Sequence, residues 1–191
     1  MSLITGGCTE LLYSSVATGT QLNTFTTEDN LMKTLPYAKL PVSLWVNHGA
    51  TGRGIRIKAC GRLGTTGTPT FTFNLRILTT STWSAAGIGF ATAAITAGSA
   101  VTLAPWYLDA ELIFRSLGTG AASTVACMGE LRGGTSLAAG GGVYSIPAAN
   151  TAFTSTSFDA SIDSWLFLSV ACGTSNASNL IQLEMLKIYG E

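Results

Sequence analysis

Charge is the scarcest property of this chain. Asp, Glu, Lys and Arg make up 10% of its 191 residues, against about 25% in ordinary soluble domains. Ten basic residues balance ten acidic ones, so no net field draws the chain to nucleic acid or to anionic membrane. A lone monomer with so few charges is poorly soluble, which points first to life in an assembly and second to a secreted environment. Histidine occurs once, as His48. That excludes an HExxH motif and any centre built on several histidines, and in Val46-Asn47-His48-Gly49 the residue reads as a loop hydrogen-bonder. The four cysteines, Cys8, Cys60, Cys127 and Cys172, include no Cys-x-x-Cys pair, which removes zinc-ribbon and thioredoxin spacing. Two disulfides stay open; half-buried thiols in a reducing cytosol are the first reading. Met1-Ser2-Leu3-Ile4-Thr5 lacks a basic start and an apolar core, so no secretory leader is expected. A long helix is also missing. The uncharged stretch Ile77 to Leu108 contains one membrane-length window, Ala85 to Ala104, but its Thr, Ser and Gly content and lack of basic flanks argue against a span.

Alternation is what the chain has in quantity. Between Gly52 and Leu78, Ile55, Ile57, Ala59 and Gly61 alternate with Arg56, Lys58, Cys60 and Arg62. Phe71, Phe73, Leu75 and Ile77 then alternate with Thr70, Thr72, Asn74 and Arg76. Each segment has one apolar and one wet face, and the glycines and proline of residues 64–69 predict a tight hairpin between them. Trp106 to Arg115 alternates equally well, turns at Gly118 to Ala122, and returns through Ser123 to Arg132. Asp163 to Gly173 is apolar on both faces, as in a strand covered by a second layer or a subunit. The last strand, Asn179 to Tyr189, shifts phase at Leu186 as a β-bulge requires. Shorter strands are expected at Leu11-Leu12-Tyr13, Gln21 to Phe25, Val42 to Val46 and Ile88 to Ala97, a helical turn at Thr26 to Lys33, and a long uncharged loop from Gly133 to Ser157. No short internal repeat supports a propeller or β-helix. The expected fold is all-β: an antiparallel β-sandwich, a jelly roll of about 8–10 strands. Residues 1–40 form an N-terminal arm and first strands, and 41–191 the sandwich domain.

Little here carries chemistry. Gly49 to Gly54 precedes a strand and lacks a following Gly-Lys-Ser/Thr, so it is no phosphate loop. Asp109 and Glu111 share a strand face, and Asp159 and Asp163 flank a turn. A glycosidase needs carboxylates opposed across a cleft and calcium a denser oxygen pattern, so solvated or interface charges are the simpler reading. Asn176-Ala177-Ser178 fits a sequon without a leader to make it meaningful. Trp83, Tyr107 and Tyr144 could stack on sugars in a lectin-like groove, though scattered aromatics more often belong to core or interface. No enzyme activity, cofactor or metal is expected.

The run Gly61-Arg62-Leu63-Gly64-Thr65-Thr66-Gly67-Thr68-Pro69-Thr70-Phe71-Thr72-Phe73 resembles a hairpin motif of tailed-phage virion structural proteins. Leu12-Tyr13-Ser14-Ser15, Trp106-Tyr107-Leu108-Asp109-Ala110 and Gly173-Thr174-Ser175-Asn176-Ala177-Ser178-Asn179 resemble the same family in the same order. The resemblance implies a jelly-roll protein on the outside of a phage capsid, made in the bacterial cytoplasm. The implied role is a capsid decoration, or cement, protein: a homotrimer that binds the assembled major capsid protein and stabilises the shell. A tail, neck or head-fibre component binding host-surface glycan or receptor is the alternative. The chain departs from the family pattern at Leu31 to Trp45 and Gly133 to Ser157, where partner contacts tend to be made. The expected subunit or capsid contacts are the basic wet face Arg56, Lys58, Arg62 and Arg76, and the doubly apolar strand at Trp165 and Phe167.

Overall fold

The computed structural model describes residues 10–42, 44, 53–133, 142–149 and 151–190. His48, Cys8, Trp45 and most of the strand expected at Val42 to Val46 lie outside them. The described residues hold thirteen strands: β1 (Glu10–Ser15), β2 (Asp29–Asn30), β3 (Ala38–Leu40), β4 (Gly54–Gly64), β5 (Thr70–Leu78), β6 (Ile88–Ala91), β7 (Ile95–Thr96), β8 (Ala104–Ser116), β9 (Ser123–Gly133), β10 (Gly142–Ile146), β11 (Thr154–Phe158), β12 (Ser164–Cys172) and β13 (Leu180–Gly190). They form two antiparallel sheets. Sheet A runs β1-β13-β4-β8-β9-β10, with β11 also on β9; sheet B runs β2-β12-β5-β6, with β3 on β12 and β7 on β5. The expected sandwich of jelly-roll type is present, with more strands than expected because short ones such as β2, β3 and β7 extend the sheets.

The long strands owe their placement to period two. In β4 every inward position, from Ile55 to Leu63, is buried while Arg56 and Arg62 are exposed. In β8 the inward row is Trp106, Leu108, Ala110, Leu112 and Phe114. Phe71, Phe73, Leu75 and Ile77 of β5 face them from sheet B, with Leu166, Leu168 and Val170 of β12. The sheets meet edge-to-face at Phe73 and Trp106, ring centroids 5.2 Å apart. Gly61 lies opposite Trp106 in the β4–β8 register, and a Cβ there would stand 2.6 Å from the Trp106 ring and 1.9 Å from the Gln182 carbonyl.

The expected hairpin is corrected. β4 pairs with β13 and β8, whereas β5 pairs with β12, β6 and β7. Residues 65–69 therefore carry the chain from one sheet to the other. Their polar groups are bonded accordingly: the Thr65 amide donates to the Val101 carbonyl at 2.9 Å, and the Thr66 amide to Asn179 Oδ1 at 2.9 Å. Alternation dictates which face of a strand is buried but not which strand lies beside it. Two amphipathic strands can bury their apolar faces side by side or across a core from one another.

The hairpin expected from Trp106 to Arg132 does form, closed by the 3-10 turn Gly120–Ala122. The bulge in β13 is also present, as a register shift between Leu183 and Met185. Residues 10–40 supply β1 to sheet A and β2 and β3 to sheet B. Three other expectations change. Thr26 to Lys33 holds β2 and a turn, not a helical start; the Asn30 side chain accepts the Met32 amide there at 2.8 Å. Gln21 to Phe25 contributes one bridge, Leu22 to Ile181. The stretch expected as one loop from Gly133 to Ser157 contains β10 and most of β11. Among the described residues no helix is long and apolar enough to cross a membrane, and Ala85 to Ala104 carries β6 and β7.

Candidate contact surface on sheet A

The two outer faces of the sandwich are unlike. On sheet B, the outward residues at the middle of β12 and β5 are covered by the protein's own chain, and those toward the strand ends are half-buried. Phe167 is fully buried, with the rings of Tyr37 and Trp83 edge-on at 6.1 and 5.6 Å. Trp165 is half-buried beneath Lys39, whose ammonium lies 5.9 Å from the ring centroid. The β12 strand is thus apolar on both sides because the N-terminal segment and the loop after β5 cover it. Phe167, expected as a contact to another subunit, is spent inside its own chain. Arg76, expected in one basic patch with β4, lies on this sheet instead. Its Nε and Nη2 donate to the Glu28 carboxylate at 2.8 and 2.6 Å, and the Ser169 hydroxyl donates to the same group at 2.5 Å. Burial alone would raise the Glu28 pKa; the hydrogen bonds from Arg76 and Ser169, with the Arg76 charge, outweigh it and hold the carboxyl below its ordinary value.

Sheet A presents the opposite picture. Its outer face carries six of the ten basic residues, Arg56, Lys58, Arg62, Arg115, Arg132 and Lys187. Four of the ten acidic residues, Asp109, Glu111, Glu130 and Glu184, share it. Half the charges of a charge-poor chain thus gather on one face, and most are paired there. Arg56 grips Asp109 through both carboxylate oxygens, at 2.9 and 2.7 Å, while Lys58 stands 3.9 Å from the same group. Arg62 meets Glu184 at 3.3 Å, and Arg132 pairs with Glu130. The hydrogen bond from Arg56 holds the Asp109 carboxyl below its ordinary value, against the opposing effect of burial. The Tyr107 hydroxyl donates to Asp109 at 3.4 Å; burial, followed by the neighbouring carboxylate, pushes its pKa up. Leu11, Ile113, Met128 and Val143 stand exposed among these charges. Two depressions of about 500 Å³ adjoin the face, one beside Cys60, Tyr107 and Arg132, the other beside Met128, Ile146 and Phe153.

Sequence reasoning therefore placed Arg56, Lys58 and Arg62 together correctly but missed their company. Lys187 and the acids Asp109 and Glu184 join them only through register, and no local signal fixes that. Asp109 and Glu111 do share a face, as expected, and serve as ion-pair partner and surface charge. Asp163 is taken up by Lys39 at 2.6 Å and by the Val42 amide at 3.0 Å, and Asp159 by the amide and hydroxyl of Ser161, so Asp159 stabilises its own turn while Asp163 ties that turn to the segment around β3.

Cys60, Cys127 and Cys172 are free thiols. Burial pushes Cys127 up to about 12 and raises Cys60 and Cys172 as well. Since the thiolate is the reactive form, iodoacetamide at neutral pH should label Cys127 more than about a hundredfold more slowly in the native protein than in urea, as read by peptide mass spectrometry. Fast native labelling of Cys127 would contradict this packing.

No family model matches the chain, and no curated protein matches it. Among solved structures, a peanut lectin bound to a 9mer peptide is similar over 97% of this chain and 98% of its own, at 9% identity and a TM-score of 0.43. The CBM2 module of an evolved Dit protein from Lactobacillus casei BL23 phage J-1 is similar over 95% of each chain, at 12% identity and a TM-score of 0.34. Likeness at this level carries no argument about what the chain binds.

Proposed function

We propose that this chain is a structural protein of a bacteriophage virion that decorates the assembled capsid, seated on the shell through the outer face of sheet A. The observation that carries this reading is the asymmetry between the two sheets among the described residues: the outer side of sheet B is largely covered by the chain itself, with Phe167, Asn74 and Ser169 buried, while that of sheet A displays paired charges among exposed apolar side chains. Apolar anchors among ordered charged groups are the chemistry of protein contact. The sequence resemblance of residues 12–15, 61–73, 106–110 and 173–179 to phage virion proteins suggests the partner, although residues 61–73 form a crossing between sheets here and not the hairpin of that motif. A protein that binds the assembled shell but not its free subunits stabilises the shell by linkage. Self-association as a trimer belongs to the same proposal and is read by sedimentation.

The test is to add the purified protein to capsids that lack it and to measure co-sedimentation and the temperature of DNA release. Binding and a raised release temperature are expected. In an Arg56→Ala/Arg62→Ala variant, attachment should weaken about tenfold or more, while the fold loses no more than about 2 kcal/mol, as for two exposed ion pairs. Unchanged attachment would remove the β4 face from the interface. The second reading, a tail, neck or head-fibre component that binds host glycan, draws on Tyr107, Asp109 and Arg56, an aromatic ring beside fixed donors and acceptors. Binding to host-surface glycan with no binding to capsids would favour it over decoration.

A further inference from the structure

Cross-strand register lines up one row of side chains over the outer face of sheet A. It runs Ser14, Lys187, Lys58, Asp109, Glu130 and Ser145, on β1, β13, β4, β8, β9 and β10 respectively. One half of the row is basic and the other acidic. Lys187 and Lys58 are direct partners, like charges side by side on adjacent strands, an arrangement that weakens a sheet unless something else compensates it. Nothing on this face does so fully. Lys187 has no ion pair among the described residues, and Lys58 is only a distant third party to Asp109, behind the two shorter bonds from Arg56. The guanidiniums on either side of Lys58 are occupied, Arg56 by Asp109 and Arg62 by Glu184. The two lysines are therefore the basic groups of this stretch left to meet an anion from outside.

The geometry points to the Lys58–Lys187 pair as a docking site for an acidic segment of a partner polypeptide, its carboxylate seated between the two ammonium groups. This rests on the reading of sheet A as the contact face and names the chemistry of what it meets. Opposed strand residues have their Cβ atoms about 5 Å apart, close enough for one carboxylate to accept hydrogen bonds from both long side chains. Exposed Leu11 lies one row away, opposite Tyr189, so an apolar neighbour of the acidic residue would also find a seat. Neither lysine lines either depression described above, and the charge of the pair matches a carboxylate carried on an extended chain. A protein segment is the fitting occupant.

The experiment measures binding of a ten-residue glutamate peptide, of polygalacturonate and of capsids lacking the protein, each at two salt concentrations. The proteins compared are the intact chain, Lys58→Gln/Lys187→Gln, and a control with equal charge loss, Lys33→Gln/Lys39→Gln. The intact chain should bind the peptide, more weakly at higher salt. The Lys58/Lys187 variant should lose at least tenfold in affinity for peptide and capsid, with its melting temperature unchanged or raised, because a like-charge contact has been removed. The control should stay within twofold of the intact chain. Equal peptide binding by the Lys58/Lys187 variant would overturn the site, as would binding of polygalacturonate but not of peptide. Lysine-dependent peptide binding with no capsid binding would leave the site standing and sink the proposed function; capsid binding insensitive to both lysines would do the reverse.

Discussion

Replacing Trp106 by alanine should destabilise the protein by about 3–5 kcal/mol, the range for emptying a large aromatic from a core. Trp106 is among the largest fully buried side chains and bridges the sheets by its edge-to-face contact with Phe73. Its removal takes away packing on both sides of the sandwich at once. The indole Nε1 has no hydrogen-bond partner among the described residues, so within them the ring is held by packing, with a buried donor left unsatisfied at some cost. Trp106→Phe should accordingly cost far less, about 1–2 kcal/mol, because the smaller cavity is offset by loss of the orphan donor. The same site has a reciprocal test in Gly61→Val, which drives a side chain into the Trp106 ring and the Gln182 carbonyl and should cost as much as the alanine or prevent folding. Urea unfolding followed by tryptophan and far-ultraviolet signals measures all three. Equal midpoints for the alanine and phenylalanine variants would show that the aromatic contact is not what joins the sheets.

The second large effect is expected at Glu28. Arg76 and Glu28 keep only 18% and 13% of their side-chain surface exposed, and Ser169 completes the group. Removing one member of a mostly buried pair strands the other, so Glu28→Ala or Arg76→Ala should each cost about 2–4 kcal/mol. The loss should be local first, because this ion pair ties the chain just before β2 to the outer side of sheet B. Hydrogen exchange should rise in residues 26–40 before it rises in β8. The pH dependence has a definite sign. The folded protein holds the Glu28 carboxyl below the ordinary glutamate value of 4.5, so the unfolded chain takes up the proton first as pH falls. Its contribution is whole above pH 4.5 and is lost as pH drops through the lower folded value. Asp109, also held low in the folded protein, acts in the same direction. Stability should fall with acid below pH 4.5, and Glu28→Gln should flatten that slope. An unaltered acid profile in Glu28→Gln would exclude this pair as an acid-sensitive tie.

The residues that let the architecture be read early are those whose environment is set by their own strand. Ile55 to Leu63, Phe71 to Ile77 and Trp106 to Phe114 state their buried faces by alternation, and Leu186 states the bulge by breaking it. Arg76 shows the limit. Its outward direction was legible, but its sheet was not, because that depends on whether the chain turns back or crosses over at residues 65–69. Both routes use the same glycines, threonines and proline. Phe167 shows a second limit: an apolar outward residue demands a cover, and its own sequence does not say whether that cover is another subunit or Tyr37 and Trp83 of the same chain.

Taken alone, the amino-acid sequence determined the all-β class, the inward face of each long strand, the β8–β9 hairpin and the scarcity of charge that directs attention to contact surfaces. Each of these is local, fixed by side-chain period or by composition. Tertiary structure alone decided that β4 and β5 belong to opposite sheets, that Tyr37 and Trp83 cover Phe167 on sheet B, and that Lys58 and Lys187 stand side by side. Those are matters of register between strands far apart in the chain. The energy that selects them comes from fitting whole faces together, as Trp106 fits over Gly61, and no single segment carries it.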